Sequence, residues 1–184
     1  MTGDEYEEFL RDDQQGRLER FYDRRPPVFS KSGWLNREVH EWLEGMVRGE
    51  HRTLALEGPT GTGKSWSLWK AVETLLHNGW RGRWEIITAT AFADVIKPPV
   101  DDIRLQRFRA CEFLALDDLG SWRVNDWTGE NLYAVIDHRW AHELPTVVTS
   151  NVPNSVGLLG DRIASRLSDR FTRIELAGTD RRAS

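Results

Sequence analysis

The chain has 184 residues, 39% hydrophobic and 29% charged, a balance that suits one globular α/β domain and excludes wholesale disorder. It contains no run of about 18 apolar residues, which excludes a membrane-spanning helix, and Asp4, Glu5, Glu7 and Glu8 stand where a signal peptide would be basic. The formal charge of −4 belongs to residues 1–24, with eight acids and four arginines, while the rest carries 21 charges of each sign, so no global basic field advertises nucleic acid.

Residues 1–24 read as a charged, weakly amphipathic helix carrying Tyr6, Phe9, Leu10, Leu18, Phe21 and Tyr22. Arg25-Pro26-Pro27 breaks it, because proline fixes φ and pushes its predecessor out of the helical region. Residues 1–28 are therefore expected to form an acidic N-terminal arm, and 29–184 the main domain. Leu35, Val39, Trp42, Leu43, Met46 and Val47 recur at helical spacing, and Gly49 supplies a stop. Thr53-Leu54-Ala55-Leu56 predicts a first strand, followed by a glycine-rich loop and a helix bearing Leu68, Val72, Leu75 and Leu76.

Strands at Trp84–Thr88, Phe113–Leu116, Thr146–Thr149 and Phe171–Leu176 then alternate with helices over Ala91–Ile96, Leu132–Trp140 and Ile163–Leu167. The third strand is wholly apolar, as expected when both sheet faces are buried. Strand–helix alternation predicts a parallel sheet with helices on both sides, a three-layer sandwich. The lone Cys111 forms no intrachain disulfide and no cysteine metal cluster, and points to a reducing cytoplasm.

Gly58-Pro59-Thr60-Gly61-Thr62-Gly63-Lys64-Ser65 satisfies G-x-x-x-x-G-K-[ST], with a strand before it and a helix after it. Glycines let backbone N–H groups turn inward around a phosphate, and the following helix offers its N-terminal dipole to the same anion. Lys64, expected to face solvent, reaches the β- and γ-phosphates of ATP, and the Ser65 hydroxyl coordinates Mg²⁺. Trp66 is counted with the nucleotide-binding residues. A plain glycine turn capping a helix would leave both matching flanks unexplained.

Asp117 and Asp118 follow four apolar residues at the C-terminal end of the third strand, the edge where open α/β sheets bind ligands. Asp117 is expected to hold the metal and Asp118 to orient or deprotonate the attacking water. Capping would also suit aspartates there, but the pair comes about fifty residues after a phosphate loop.

From Phe29 to Arg182 the sequence resembles the DnaC/DnaI-type helicase loaders and the IstB transposon helper ATPases, within the AAA+ class. The resemblance rests on Gly58–Ser65, Ile87-Thr88-Ala89, Leu116-Asp117-Asp118-Leu119-Gly120, Thr149-Ser150-Asn151, Gly160–Leu167 and Gly178-Thr179-Asp180-Arg181-Arg182. It implies a P-loop NTPase with a five-stranded parallel sheet in the order 5-1-4-3-2 and no separate lid domain. It further implies Asn151 as the polar sensor, Arg166 as an arginine finger reaching a neighbour's ATP, and Arg182 as a second sensor. Partners implied are a replicative helicase, single-stranded DNA and further copies of the chain.

Arg162 and Arg166 are four apart and share a helix face, a candidate self-association surface; a salt bridge to Asp169 is the competing reading of Arg166. Arg104, Arg107, Phe108 and Arg109 form the best local candidate for single-stranded DNA, as cations interleaved with an aromatic, although a charged outer helix face explains the same residues. Full-length loaders carry a sizeable N-terminal domain where this sequence has its short acidic arm. The arm is therefore expected to be either a reduced helicase-binding element or a surface helix packing on its own domain. Two other functions stay open: a transposon helper ATPase, and an adaptor that uses ATP as a switch, suggested by Asp118 being one methylene shorter than the usual glutamate. A P-loop nucleotide kinase is opposed by the Thr-Ser-Asn and Ser-Arg-Leu elements.

Overall fold

A computed structural model describes residues 3–119, 125–153 and 155–177. In chain order the elements are α1 (Gly3–Arg24), α2 (Arg37–Val47), β1 (Thr53–Glu57), α3 (Lys64–His77), β2 (Trp84–Thr88), α4 (Ala89–Ile96) and α5 (Asp102–Ala110). There follow β3 (Phe113–Asp117), α6 (Asp126–Ala141), β4 (Thr146–Ser150), α7 (Asp161–Leu167) and β5 (Phe171–Glu175), with short 3-10 helices at Pro27–Phe29 and Ser155–Leu159. The strands form one parallel sheet in the order β2-β3-β4-β1-β5. This is the implied 5-1-4-3-2 order read from the other edge. None of the described helices is long and apolar enough to cross a membrane.

Strand side chains alternate between faces, and here each face has its own core. Leu54, Leu56, Phe113, Ala115, Val147 and Ile174 pack with α1, α2 and α3. Ala55, Ile87, Leu114, Leu116 and Val148 pack with α4, α5, α6 and α7. The three layers follow directly from this division.

The break at Pro26-Pro27 does not detach α1. Its Leu18 and Phe21 are buried in the first core, where the Phe21 ring lies 5.7 Å from that of Trp84. Arg25 pairs with Glu73 of α3 at 3.0 Å and Arg24 with Glu85 of β2 at 2.8 Å. On the other side of the sheet the fully buried Arg139 of α6 donates to Thr146 Oγ1 and to the carbonyls of Phe108, Cys111 and Pro145. One side chain thereby joins α6, the end of α5 and the start of β4.

Helix α5 corrects the proposed DNA patch. Leu105 and Phe108 point into the second core, and Phe108 is 2% exposed. A ring buried to that degree cannot stack on a base. Arg104 lies 6.0 Å from it, and Arg107 lines a separate cleft with arginines of α1.

Candidate functional site

Side chains close the N-termini of most of the longer helices. Asn36 caps α2, Thr88 caps α4, Asp101 caps α5 and Asn125 caps α6, each accepting from first-turn N–H groups. Helix α3 instead starts from Gly63 at φ 94°, without a side-chain cap. No side chain therefore competes for its first-turn donors, as a helix meant to meet an anion requires. The loop ahead of it leaves β1 at Gly58, whose N–H donates to Ser150 O at 3.2 Å. A Cβ at Gly58 would lie 2.4 Å from Leu176 O, and φ is 148°, so only glycine fits this close approach.

Within the loop, Thr62 Oγ1 donates to Pro59 O at 2.9 Å. Lys64 departs from the sequence reading. It is 9% exposed, and its ammonium donates to Gly58 O at 2.6 Å and Pro59 O at 2.8 Å. The side chain folds back over its own loop instead of facing solvent. Trp66 lies one residue past Ser65 in the first turn of α3, and its indole N–H donates to Lys31 O at 2.9 Å. The segment before α2 is thereby drawn across the start of α3.

The C-terminal ends of β1, β3 and β4 meet the loop. Ser65 Oγ donates to Asp117 Oδ1 at 2.9 Å, and Thr149 Oγ1 donates to the same oxygen at 2.6 Å. Asp117 is 8% exposed. Thr149 Oγ1 also accepts from Asp118 N at 2.8 Å. Asp118 is exposed and sits at φ 57°, a left-handed backbone that aspartate tolerates better than most residues but still at a cost. The Thr149 hydroxyl thus ties the buried Asp117 carboxylate to the backbone N–H of the strained, exposed Asp118.

Glu57 is level with Ser150 in the sheet, so Asn151, exposed just after β4, follows the strand end beside the start of the phosphate loop. Sequence reading named Thr149 only as part of a motif. The available signal was a hydroxyl at the end of a strand whose five residues are all buried, where an unsatisfied polar group is costly.

Arg166 lies elsewhere. Its Nε donates to Asp137 Oδ1 at 2.8 Å, and its guanidinium stacks on Trp140 at 4.3 Å from the ring centre. Arg162 stacks on Tyr133 at 4.0 Å, and Tyr133 OH donates to the same Asp137 oxygen at 3.1 Å. The Arg166 hydrogen bond, seconded by that from Tyr133, holds the Asp137 carboxyl below the usual aspartate range. The partner is thus on α6, and not Asp169 as the salt-bridge reading had it.

Arg166 also borders a crevice with Thr53 and Thr146, the first residues of β1 and β4. Five residues at about 3.3 Å each place it roughly 16 Å from the edge that carries the phosphate loop. Arg182 and Gly120 lie outside the described residues. Among the described residues there is no group of three or more His, Cys, Asp or Glu side chains able to hold a metal. The donors present, one hydroxyl and one carboxylate beside a phosphate loop, suit Mg²⁺, which keeps several waters and takes phosphate oxygens.

No protein-family model matches the chain, and no curated protein sequence is similar to it. Solved structures do match. DnaI is 20% identical with TM-score 0.65, over 83% of this chain and 89% of that one. The DnaC helicase loader is 19% identical with TM-score 0.63, over 86% and 99%. The replication initiator DnaA, bound to AMPPCP and single-stranded DNA, is 20% identical with TM-score 0.64, over 80% of this chain; the match spans about half of DnaA, 48%. At these identities the likeness is one of fold, and the fold of this chain is that of the AAA+ P-loop NTPases.

Proposed function

We infer that the chain is an ATP-binding and ATP-hydrolysing AAA+ protein that acts in DNA replication, loading a replicative helicase onto single-stranded DNA. The observation that carries the ATPase reading is the cluster of Ser65, Asp117 and Thr149, hydrogen-bonded at the floor of the phosphate loop with Asp118 fastened beside it. Gly58 to Ser65 would cradle the phosphates, with Lys64 exchanging the carbonyls of Gly58 and Pro59 for phosphate oxygens. Ser65 and Asp117 would hold Mg²⁺, which when bound offsets negative charge on the phosphates. Asp118 would orient the attacking water, Asn151 would sense the γ-phosphate, and Trp66 and Arg182 would border the nucleotide.

The helicase and single-stranded DNA are supported by the likeness of fold to a helicase loader and to a DNA-bound initiator. A reducing cytoplasm suits the buried thiol of Cys111. Arg166 would serve a neighbouring copy, since its own phosphate loop is a strand length away. A second reading, ATP as a binding switch, is favoured by the short side chain of Asp118. The test is equilibrium ATP binding and steady-state hydrolysis, with and without helicase and single-stranded DNA. Lys64→Ala is expected to lose micromolar ATP affinity, and undiminished affinity in that variant would sink the assignment. Binding without turnover under every condition would select the switch.

A further inference from the structure

A second charged site lies at the opposite edge of the sheet. Arg17, Arg20 and Arg24 of α1, with Arg83 and Arg107, line a cleft of about 370 Å³ whose floor includes Phe21, Leu76 and Trp84. Its other walls come from Gly82 ahead of β2 and Cys111 ahead of β3. Those are strand beginnings, so the cleft lies roughly a strand length, about 16 Å, from the phosphate-loop edge. Three of the arginines are paired nearby: Arg17 with Asp13 at 2.9 Å, Arg24 with Glu85 at 2.8 Å and Arg83 with Glu112 at 3.2 Å. Arg20 and Arg107 make no contact ion pair or side-chain hydrogen bond among the described residues, Arg20 acting only at longer range on the Asp13 carboxylate. The cleft therefore keeps an excess of positive charge over an apolar floor.

The complement is on the same helix. Residues 3–9 contain Asp4, Glu5, Glu7 and Glu8 and no base. Tyr6 and Phe9 are 49% and 56% exposed, and Glu5 and Glu8 are exposed with them. Glu5, Glu8 and Phe9 fall at i, i+3 and i+4, on one face. Helix α1 runs unbroken from Gly3 to Arg24, and eight residues at 1.5 Å each hold Phe9 about 12 Å along the axis from Arg17. A continuous helix cannot bend this head back into its own cleft. Only another molecule can bring the two together.

We propose that the acidic head of α1, residues 3–9, seats in the arginine cleft of a second copy of this chain. Glu5 and Glu8 meet Arg20 and Arg107 there, and Phe9 covers the floor of Phe21, Leu76 and Trp84. The contact is head to tail, so copies add in series, through a surface separate from the Arg162/Arg166 face and without need of nucleotide.

Sedimentation velocity of the full chain without nucleotide, over a concentration series at low and high salt, tests this. Self-association is expected at low salt and is weakened as salt screens the charges. Glu5→Lys/Glu8→Lys and Arg20→Glu/Arg107→Glu should each weaken it more than about tenfold. Mixing these two variants should restore association beyond the dimer, because the native head of one meets the native cleft of the other and the reversed head meets the reversed cleft. Placing all four substitutions in one chain should restore association, an outcome that general misfolding cannot produce. A wild type that stays monomeric at every concentration overturns the proposal, as does a four-substitution chain that stays monomeric. So does association that survives both double variants and is removed by Arg166→Ala. Anisotropy of a labelled single-stranded oligonucleotide supplies the last arm. Loss of oligonucleotide binding in Arg20→Glu/Arg107→Glu, with self-association unchanged, would assign the cleft to nucleic acid and refute the head-to-tail contact.

Discussion

Thr149→Val isolates one hydroxyl while keeping the shape of the side chain. Thr149 is 1% exposed, donates to Asp117 Oδ1 at 2.6 Å and accepts from Asp118 N at 2.8 Å. Losing a hydrogen bond to a buried carboxylate costs about 1.5–3 kcal/mol, and leaving the Asp118 N–H without its acceptor adds roughly 1 kcal/mol, since that residue is near solvent. The sum, about 3 kcal/mol, corresponds in a chain of this size to a fall in melting temperature of roughly 6–12 °C. Relief of the left-handed strain at Asp118 recovers part of this if the loop relaxes, and that relaxation moves the carboxylate away from its place. A shift of about 1 Å in a catalytic group is worth around 10²-fold in rate.

Thermal unfolding without nucleotide, followed by ATP turnover with Mg²⁺, separates the two effects. Thr149→Ser keeps the hydroxyl and loses one methyl, about 1 kcal/mol, so it should retain most of the activity. If Thr149→Val melts with the wild type and turns over at its rate, the hydroxyl neither steadies Asp117 nor fixes Asp118. The chain of hydrogen bonds would then be incidental to the site.

Asp117→Asn should weaken Mg²⁺-dependent ATP binding, whereas Asp118→Asn should keep binding and lose hydrolysis; wild-type turnover in Asp118→Asn would leave Asp118 a cap. Burial pushes the Glu73 carboxyl up, but Lys70, Arg25 and the Tyr22 hydroxyl outweigh it and leave the carboxyl below its ordinary 4.5. Its contribution is therefore present above that value and lost as pH falls through the lowered one, so unfolding curves should show Glu73→Gln matching the wild type only in acid. Arg166→Ala should bind ATP and hydrolyse it poorly, by about 10³-fold if the arginine stabilises a neighbour's transferring phosphoryl group. Mixing it with Lys64→Ala should return part of the activity where the protein assembles, and a silent mixture would leave Arg166 as the partner of Asp137 alone.

The fold was legible because both of its signals are local. Apolar runs such as Phe113–Leu116 mark strands buried on two faces, and Leu68, Val72, Leu75 and Leu76 mark a helix by their period. The phosphate loop was legible for the same reason: eight consecutive residues carry the geometry. What escaped depends on which elements become neighbours. Sequence spacing put Asp169 within reach of Arg166, yet the packing of α7 on α6 gives it Asp137 and Trp140. An arginine at period four is as consistent with one partner as with the other until the helices are docked.

Lys64 and Thr149 are failures of a related kind. A P-loop lysine reads as a phosphate ligand and hence as solvent-facing, but its long stem lets it satisfy three donors on nearby carbonyls, and Gly58 and Pro59 supply two of them. The loop is thereby held closed upon itself by the same ammonium that is meant to leave it, so nucleotide affinity includes the cost of breaking those two bonds. Thr149 could not be assigned from its motif, because its role exists only where β3 and β4 are adjacent and parallel. Leu116 is level with Val148, which brings Asp117 level with Thr149 on the next strand. Side chains at level positions of parallel neighbours lean the same way, and so an acid and a hydroxyl more than thirty residues apart share one proton bridge beneath the loop.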